Sequence, residues 1–174
     1  MAEKYNNRVN VSISDKCLQA VCGIVEESGY FNGQADFVFS AVRSFYIRCI
    51  DRFDNYLFES KKEGETPLEI IALFENGVSL YRDYLTSFYI EHYSGPNVKQ
   101  IPIRPDVTFI QELKRISLYL FKSDEMEYLV KTCRLAISEH IVEVNTMVER
   151  KNKLEKDLDD IRARAKKGNF KIGN

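Results

Sequence analysis

Residues 8–53 read RVNVSISDKCLQAVCGIVEESGYFNGQADFVFSAVRSFYIRCIDRF, and this stretch decides the fold of the chain. It begins with a strict alternation of apolar and polar side chains over VNVSIS. A two-residue period is typical of a half-buried β-strand, whose successive side chains point to opposite faces. The apolar face comprises Val9, Val11 and Ile13, and the polar face comprises Arg8, Asn10 and Ser12.

Two amphipathic helices are predicted to follow this strand. Ser14 can cap the first helix, Gly29 can end it, and Asn32 can cap the second. The predicted inward positions are Leu18, Val21, Cys22, Ile24 and Val25 in the first helix and Phe37, Val38, Ala41, Val42, Phe45 and Cys49 in the second. The strand has no partner within the stretch, so its backbone groups would stay unpaired. The simplest partner is the same strand of a second copy, antiparallel to the first, which predicts a homodimer.

The stretch closely resembles the ribbon-helix-helix family of DNA-binding repressors. The resemblance is carried by the alternating VNVSIS, by the helix LQAVCGIVEESGY with its Gly-Tyr end, and by the run DFVxxAVR in the second helix. It implies a mainly α fold in which two units interlock and their paired strands lie in the major groove of double-stranded DNA. It also implies base contacts from Arg8, Asn10 and Ser12 and phosphate contacts from the helix start at Asn32, Gly33 and Gln34. Without the resemblance, the polar face of the strand would be interpreted as an ordinary solvent-exposed face.

The pattern of the opening stretch returns after Pro96. When Val9 is laid on Ile101 and one offset is kept, the strands, both helix patterns and the second helix start (Asn32 on Asp124) align without a gap. The repeat predicts a diverged second ribbon-helix-helix unit at about residues 99–141; the alternative is a coincidence of two generic strand-helix-helix patterns. Gln100 and Arg104, on the polar face of the later strand, are further candidates for DNA contact.

Four segments are predicted along the chain. Residues 1–60 form the first unit, 61–96 a connecting helix, 97–141 the possible second unit, and 142–174 a C-terminal helix with a basic tail. The connecting helix is expected to start at the capping box TPLE, residues 66–69. The last helix is expected to run from about Asp124 to Arg164. An imperfect heptad pattern on it comprises Val144, Met147, Leu154, Leu158 and Ile161, with Lys151 as the interruption. The pattern predicts either a short coiled-coil seam or a helix that packs on a neighbour.

Composition excludes several classes of function. No apolar run is long enough to cross a membrane, and the polar start MAEKYNNR does not resemble a signal peptide. The four cysteines lack CxxC spacing, and the two histidines, His92 and His140, are far apart in the sequence. We therefore predict a cytoplasmic protein with no catalytic residues, no metal site and no cofactor. The net charge of −1 does not by itself favour nucleic acid, although residues 97–122 carry an excess of positive charge.

The sequence thus predicts a dimeric, sequence-specific transcriptional repressor that reads the major groove with an antiparallel β-ribbon. The alternative is a protein-interaction or antitoxin-like module. In that case the ribbon unit would mainly dimerise, and the aromatic middle helix and the long last helix would bind a protein partner.

Overall fold

The chain folds as a short strand followed by three helices and a second short strand followed by two. The computed structural model describes residues 8–63 and 66–167. The elements are β1 (Val9–Ser14), α1 (Asp15–Ser28), α2 (Gln34–Glu63), α3 (Pro67–Tyr93), β2 (Asn97–Ile103), α4 (Val107–Phe121) and α5 (Met126–Lys167). The predicted mainly α class is confirmed, with a small two-stranded antiparallel sheet and a long last helix. One compact unit extends to Ile141 and a second begins at Val142, within α5.

The strand β1 pairs with β2 of the same chain. The two strands are antiparallel, with Asn10 opposite Pro102 at the centre of the ladder, Val9 opposite Ile103 and Val11 opposite Ile101. The expectation that a second copy supplies the partner strand is therefore wrong, because the backbone groups of β1 are satisfied within the chain. The homodimer was predicted because β1 lacked a partner strand, and β2 supplies that partner.

The pairing of the two strands is crossed relative to the sequence offset that relates them. The offset lays Val9 on Ile101 and Val11 on Ile103, yet in the sheet Val9 pairs with Ile103 and Val11 with Ile101. A local two-fold rotation through the centre of the ribbon produces such a pairing, because it carries each strand onto the other. The same four side chains are buried and form the inner face of the ribbon.

The helix starts after the two strands obey the same offset. Ser14 caps α1, where its hydroxyl accepts a hydrogen bond from the Cys17 amide at 3.2 Å. Asp106 caps α4, where its carboxylate accepts from the Phe109 amide at 2.8 Å. Each cap satisfies an amide that has no partner within its helix. The left-handed C-caps of α1 and α4, Gly29 and Lys122, agree with the offset to within one residue.

The buried faces of the two helix pairs also correspond. Buried side chains in the first pair include Cys17, Val21 and Ile24 on α1 and Phe37, Ala41, Phe45 and Cys49 on α2. Their counterparts under the offset are Phe109, Leu113 and Ile116 on α4 and Leu129, Cys133, Ile137 and Ile141 on α5, and all of them are buried. Val38, Val42 and Phe53 on α2 are also buried, but their counterparts Val130, Arg134 and Asn145 are not, so the correspondence covers most of the buried positions and not all of them.

Three details differ from the sequence-based expectations. On α1 it is Cys17 that is fully buried, whereas Leu18 is only half-buried, so the inward face is rotated by about one position. The helix α2 begins at Gln34, and the Phe37 amide donates to the Gly33 carbonyl at 3.0 Å, so Asn32 precedes the cap. The helix α5 begins at Met126 rather than near Asp124. The predicted capping box is confirmed: the Thr66 hydroxyl accepts from the Glu69 amide at 3.3 Å, and the Glu69 carboxylate accepts from the Thr66 amide at 2.8 Å.

Candidate nucleic-acid interface

The outward side of the β-ribbon gathers candidate residues from both ends of the sequence. We use the name ribbon face for Arg8, Asn10 and Ser12 together with Gln100, Pro102 and Arg104. All of them are exposed except Ser12, which is half-buried. Because Asn10 lies opposite Pro102 and Ser12 opposite Gln100, the two predicted sets of base-contacting residues share one surface.

The cationic side chains of the ribbon face are concentrated at one end. Arg8 immediately precedes Val9 and Arg104 immediately follows Ile103, and Val9 and Ile103 are partners in the antiparallel ladder. Both guanidinium groups therefore belong to the same end of the ribbon. Ser12 and Gln100, which are neutral, occupy the other end of the face.

Arg8 and Asn10 are already joined on the surface of the protein. The Nε of Arg8 donates a hydrogen bond to Oδ1 of Asn10 at 2.8 Å. Arginine has five N–H donors, so this bond leaves the terminal groups that make bidentate contacts. It also fixes which end of the Asn10 amide is turned toward Arg8. The two polar side chains are consequently pre-oriented relative to each other before any ligand binds.

The ribbon is positively charged although the chain as a whole is not. Residues 8–14 and 97–105 contain Arg8, Lys99 and Arg104 and no aspartate or glutamate. Carboxylates appear only at the helix starts that follow, at Asp15 and Asp106. Both are engaged locally: Asp15 accepts from the Gln19 amide group at 2.7 Å, and Asp106 caps α4. The surface is therefore compatible with a polyanion in a way that the net charge does not indicate.

The predicted phosphate-binding residues lie on a different element, at the entry to α2. Asn32 is exposed, and Gly33 and Gln34 are half-buried. The carboxylate of Asp36 accepts from the Asn32 amide at 3.0 Å and from its side chain at 3.3 Å. The Gln34 side chain donates to Cys22 Sγ at 2.9 Å. The Asn32 amide therefore already donates to a carboxylate. A phosphate would have to displace Asp36 or bind to the amides of the first turn of α2 alone.

The equivalent helix start in the second half has the wrong charge for a phosphate. Asp124 and Glu125, which precede α5, are both exposed. Their carboxylates would repel a phosphate at the helix start despite the favourable helix dipole. Any phosphate contact of this kind is therefore restricted to the α2 side.

An arginine that the sequence-based search missed supports the back of the ribbon. Arg134 on α5 donates from Nε to the backbone carbonyl of Ser12 at 2.6 Å. Its counterpart under the offset, Val42, is buried and apolar, so this arginine replaces a core residue of the first half. The signal that could have identified it was a cation at a position whose counterpart under the offset, Val42, is a core residue. The hydroxyl of Ser14 adds a second support by donating to the Tyr93 carbonyl at the end of α3.

Three of the four cysteines, Cys17, Cys49 and Cys133, are buried thiols that resist ionisation. Burial raises the pKa of the Cys17 thiol to about 12, although the nearby Arg134 cation acts in the opposite direction. Burial likewise raises the pKa of Cys133 to about 12 and that of Cys49 above its ordinary value. A thiol must ionise to act as a nucleophile or a metal ligand. Among the described residues, no group of three or more His, Cys, Asp or Glu side chains could hold a metal ion.

No family model, curated protein or solved structure matches this chain. Within residues 8–63 and 66–167, no helix is long and apolar enough to cross a membrane.

Proposed function

We propose that this chain is a sequence-specific DNA-binding transcriptional regulator of the ribbon-helix-helix type, cytoplasmic, in which one chain supplies both strands of the ribbon. The observation that carries the proposal is the ribbon face. It is an exposed, cationic, two-stranded antiparallel surface that displays hydrogen-bonding side chains from both strands. Support for two related units within the chain comes from the shared offset of the ladder, the helix caps and the buried positions.

The mechanism follows from the chemistry of base edges. The major groove is about 12 Å wide and admits a two-stranded ribbon. Arginine pairs best with guanine, and asparagine and glutamine pair with adenine, so Arg8 and Arg104 would contact guanine and Asn10 and Gln100 adenine. Ser12 is a small, adaptable contact. The pyrrolidine ring of Pro102, exposed at the centre of the face, offers an apolar surface to a thymine methyl group.

The ribbon face has no internal symmetry despite the symmetry of its backbone. Under the offset, Arg8 corresponds to Gln100, Asn10 to Pro102 and Ser12 to Arg104, so no outward residue type is repeated. The bases contacted by one ribbon should therefore have no two-fold symmetry of their own.

Selection from random duplexes with the full-length protein tests both the reading of DNA and the asymmetry of the site. An enriched asymmetric motif is expected. Failure to enrich any motif at moderate salt contradicts DNA reading, whereas a motif with a dyad at the ribbon centre contradicts only the asymmetry.

Replacement of Asn10 by alanine should separate specific from non-specific binding. Asn10 is exposed and lies on the face opposite the core, so the fold should be unaffected. Loss of a bidentate adenine contact should cost about 1–3 kcal/mol at the selected site. Binding to random DNA, which depends on phosphate neutralisation, should hardly change. Fluorescence anisotropy titrations with both duplexes measure the two quantities.

The matched control for this prediction is Asn55→Ala, because Asn55 is also an exposed asparagine but lies on α2. The control should behave as the wild type on both duplexes. An equal loss of binding on both duplexes for Asn10→Ala would indicate a structural role. No loss on either would mean that Asn10 does not read DNA.

A second candidate function, a protein-interaction module, is favoured by one observation on α3. Leu73, Leu80 and Tyr84 follow each other at helical spacing and are exposed, with Tyr84 64% accessible. The inward face of the same helix carries Val78, Tyr81 and Leu85. Two results together would support this candidate instead: the wild type does not bind DNA, and Leu80→Asp abolishes the binding of a protein partner.

A further inference from the structure

The part of α5 that lies beyond Val142 carries a stripe of exposed apolar side chains. Met147, Leu154, Leu158 and Ile161 are each more than two-fifths exposed. They alternate at spacings of three and four residues around Lys151, which completes the series. We call these five positions the α5 seam. Val144, the preceding position of the series, is already fully buried in the single chain.

This arrangement is the pattern of a two-stranded coiled coil. A seam repeating every seven residues keeps one face of a helix toward a partner helix. In heptad terms, Lys151 and Leu158 are a positions, and Met147, Leu154 and Ile161 are d positions. Local ion pairs support the helix itself, since Lys151 Nζ lies 3.9 Å from Glu155 and Arg162 lies 3.3 Å from Asp159. Such pairs stabilise an exposed helix only weakly and leave the apolar stripe in water.

We propose that the α5 seam pairs in parallel with the α5 seam of a second copy of this chain. The partner is identified by charge. In a parallel pair, each g position faces the e position five residues later on the other helix. Arg150 then faces Glu155 of the second copy, and Asp157 faces Arg162 of the second copy. Both contacts are attractive, and symmetry makes each of them twice.

The antiparallel arrangement is disfavoured by the same charges. The register that aligns Met147 with Leu158 would set Ile161 of the other helix on Val144, which is already buried, so the antiparallel register that remains aligns Leu154 with Leu158. In the register that aligns Leu154 with Leu158, Arg150 faces Arg164 of the other helix, and Asp157 faces its own counterpart. Glu155 also faces its own counterpart. Like charges therefore flank this antiparallel seam, whereas opposite charges flank the parallel one.

Lys151 fits a two-stranded pair better than a larger bundle. A single polar residue at an a position is tolerated in dimers, at some loss of stability, and it selects against other oligomers. The aliphatic stem of the lysine can cover the seam while its ammonium group reaches solvent. The parallel pair joins chains through residues that are absent from the ribbon, so the proposal does not depend on DNA binding.

Sedimentation equilibrium of the full-length protein, combined with charge exchange, tests the proposal. The wild type should show a reversible monomer–dimer equilibrium. Glu155→Arg should weaken the dimer by roughly tenfold, because two attractive contacts become repulsive. The double variant Arg150→Glu with Glu155→Arg should restore it. Asp160→Arg makes the same change of charge at an exposed position outside the seam, and should leave the equilibrium unchanged.

Orientation is tested by cross-linking. Leu154→Cys places one thiol on each helix at a d position, where a parallel pair brings the two together, and the wild type is the control for the native cysteines. Oxidation should give a covalent dimer for the variant alone. A protein that stays monomeric over the whole concentration range overturns the proposal. A dimer that is indifferent to Glu155→Arg, or a Leu154→Cys variant that does not cross-link, overturns the parallel seam.

Discussion

Replacement of Val11 by aspartate is expected to lower the free energy of unfolding by about 3–5 kcal/mol, as an uncompensated buried charge does. Val11 is fully buried in the inner face of the ribbon, opposite Ile101. Its neighbours there are apolar, so a carboxylate has to enter this layer or remain protonated. Because domains are stable by only about 5–15 kcal/mol, this loss is a large part of the total.

The Val11→Asp deficit should depend on pH in a defined direction. Burial raises the pKa of the introduced carboxyl in the folded state above its unfolded value of about 3.9. Below the unfolded pKa the carboxyl is protonated in both states, so the loss of stability is smallest at such pH values. The loss grows as the pH rises from the unfolded pKa toward the higher folded-state pKa. Urea unfolding of the variant and the wild type at pH 4 and pH 7 measures the difference. A deficit that is independent of pH would show that the carboxylate has reached solvent.

The adjacent residue provides the control for this experiment. Asn10→Asp introduces the same side chain one position earlier, on the exposed face. Its unfolding free energy should stay within about 0.5 kcal/mol of the wild type. Its affinity for DNA should fall, since a negative charge would face the phosphates. Equal destabilisation by the two variants would contradict the assignment of the two faces of β1.

Phe45→Ala is expected to destabilise the protein by about 3–5 kcal/mol, the range for removal of a buried phenylalanine side chain. Phe45 is 1% exposed and lies on the inward face of α2. The loss combines the transfer free energy of the ring with the cavity that it leaves. Equilibrium denaturation of the wild type and the variant, analysed with one common slope of free energy against denaturant concentration, gives the value.

Phe58 on the same helix is the matched control, because it is 58% exposed. The ammonium group of Lys62 lies 4.3 Å from its ring centroid, an exposed cation–π contact of at most about 1 kcal/mol. Phe58→Ala should therefore cost no more than that amount. Similar losses for the two alanine variants would show that α2 is rotated relative to the face described here.

The elements that sequence reasoning predicted correctly are those specified by local chemistry. The alternation in β1, the serine cap of α1 and the capping box at Thr66 each depend on a few neighbouring residues. The inward positions of α2 follow from helical periodicity in the same way. The exposure of Arg8, Asn10, Gln100 and Arg104 was predictable because successive side chains in a strand point to opposite faces.

The errors arose where the answer depends on distant residues. Rotation of α1 that buries Cys17 in place of Leu18 is set by the helices packed against it. Asp36 was not expected on the Asn32 amide, because the sequence predicted Asn32 as the cap of α2, whereas the helix begins at Gln34 and Gly33 precedes it. Arg134 was not singled out from the sequence, because its contact with the Ser12 carbonyl joins residues that are 122 positions apart.

By itself, the sequence determined the character of each element: a strand with one apolar and one polar face, two helix pairs with apolar faces, and a heptad stripe on the last helix. These properties follow from periodicity and capping, which act over one or two turns of chain. Only the tertiary structure decided which strand satisfies β1. A strand specifies that its amides and carbonyls need partners, but an equivalent strand in the same chain and one in a second copy satisfy them equally well. Folding within the chain places Asn10 beside Pro102 rather than beside a second Asn10, and this makes the ribbon face asymmetric.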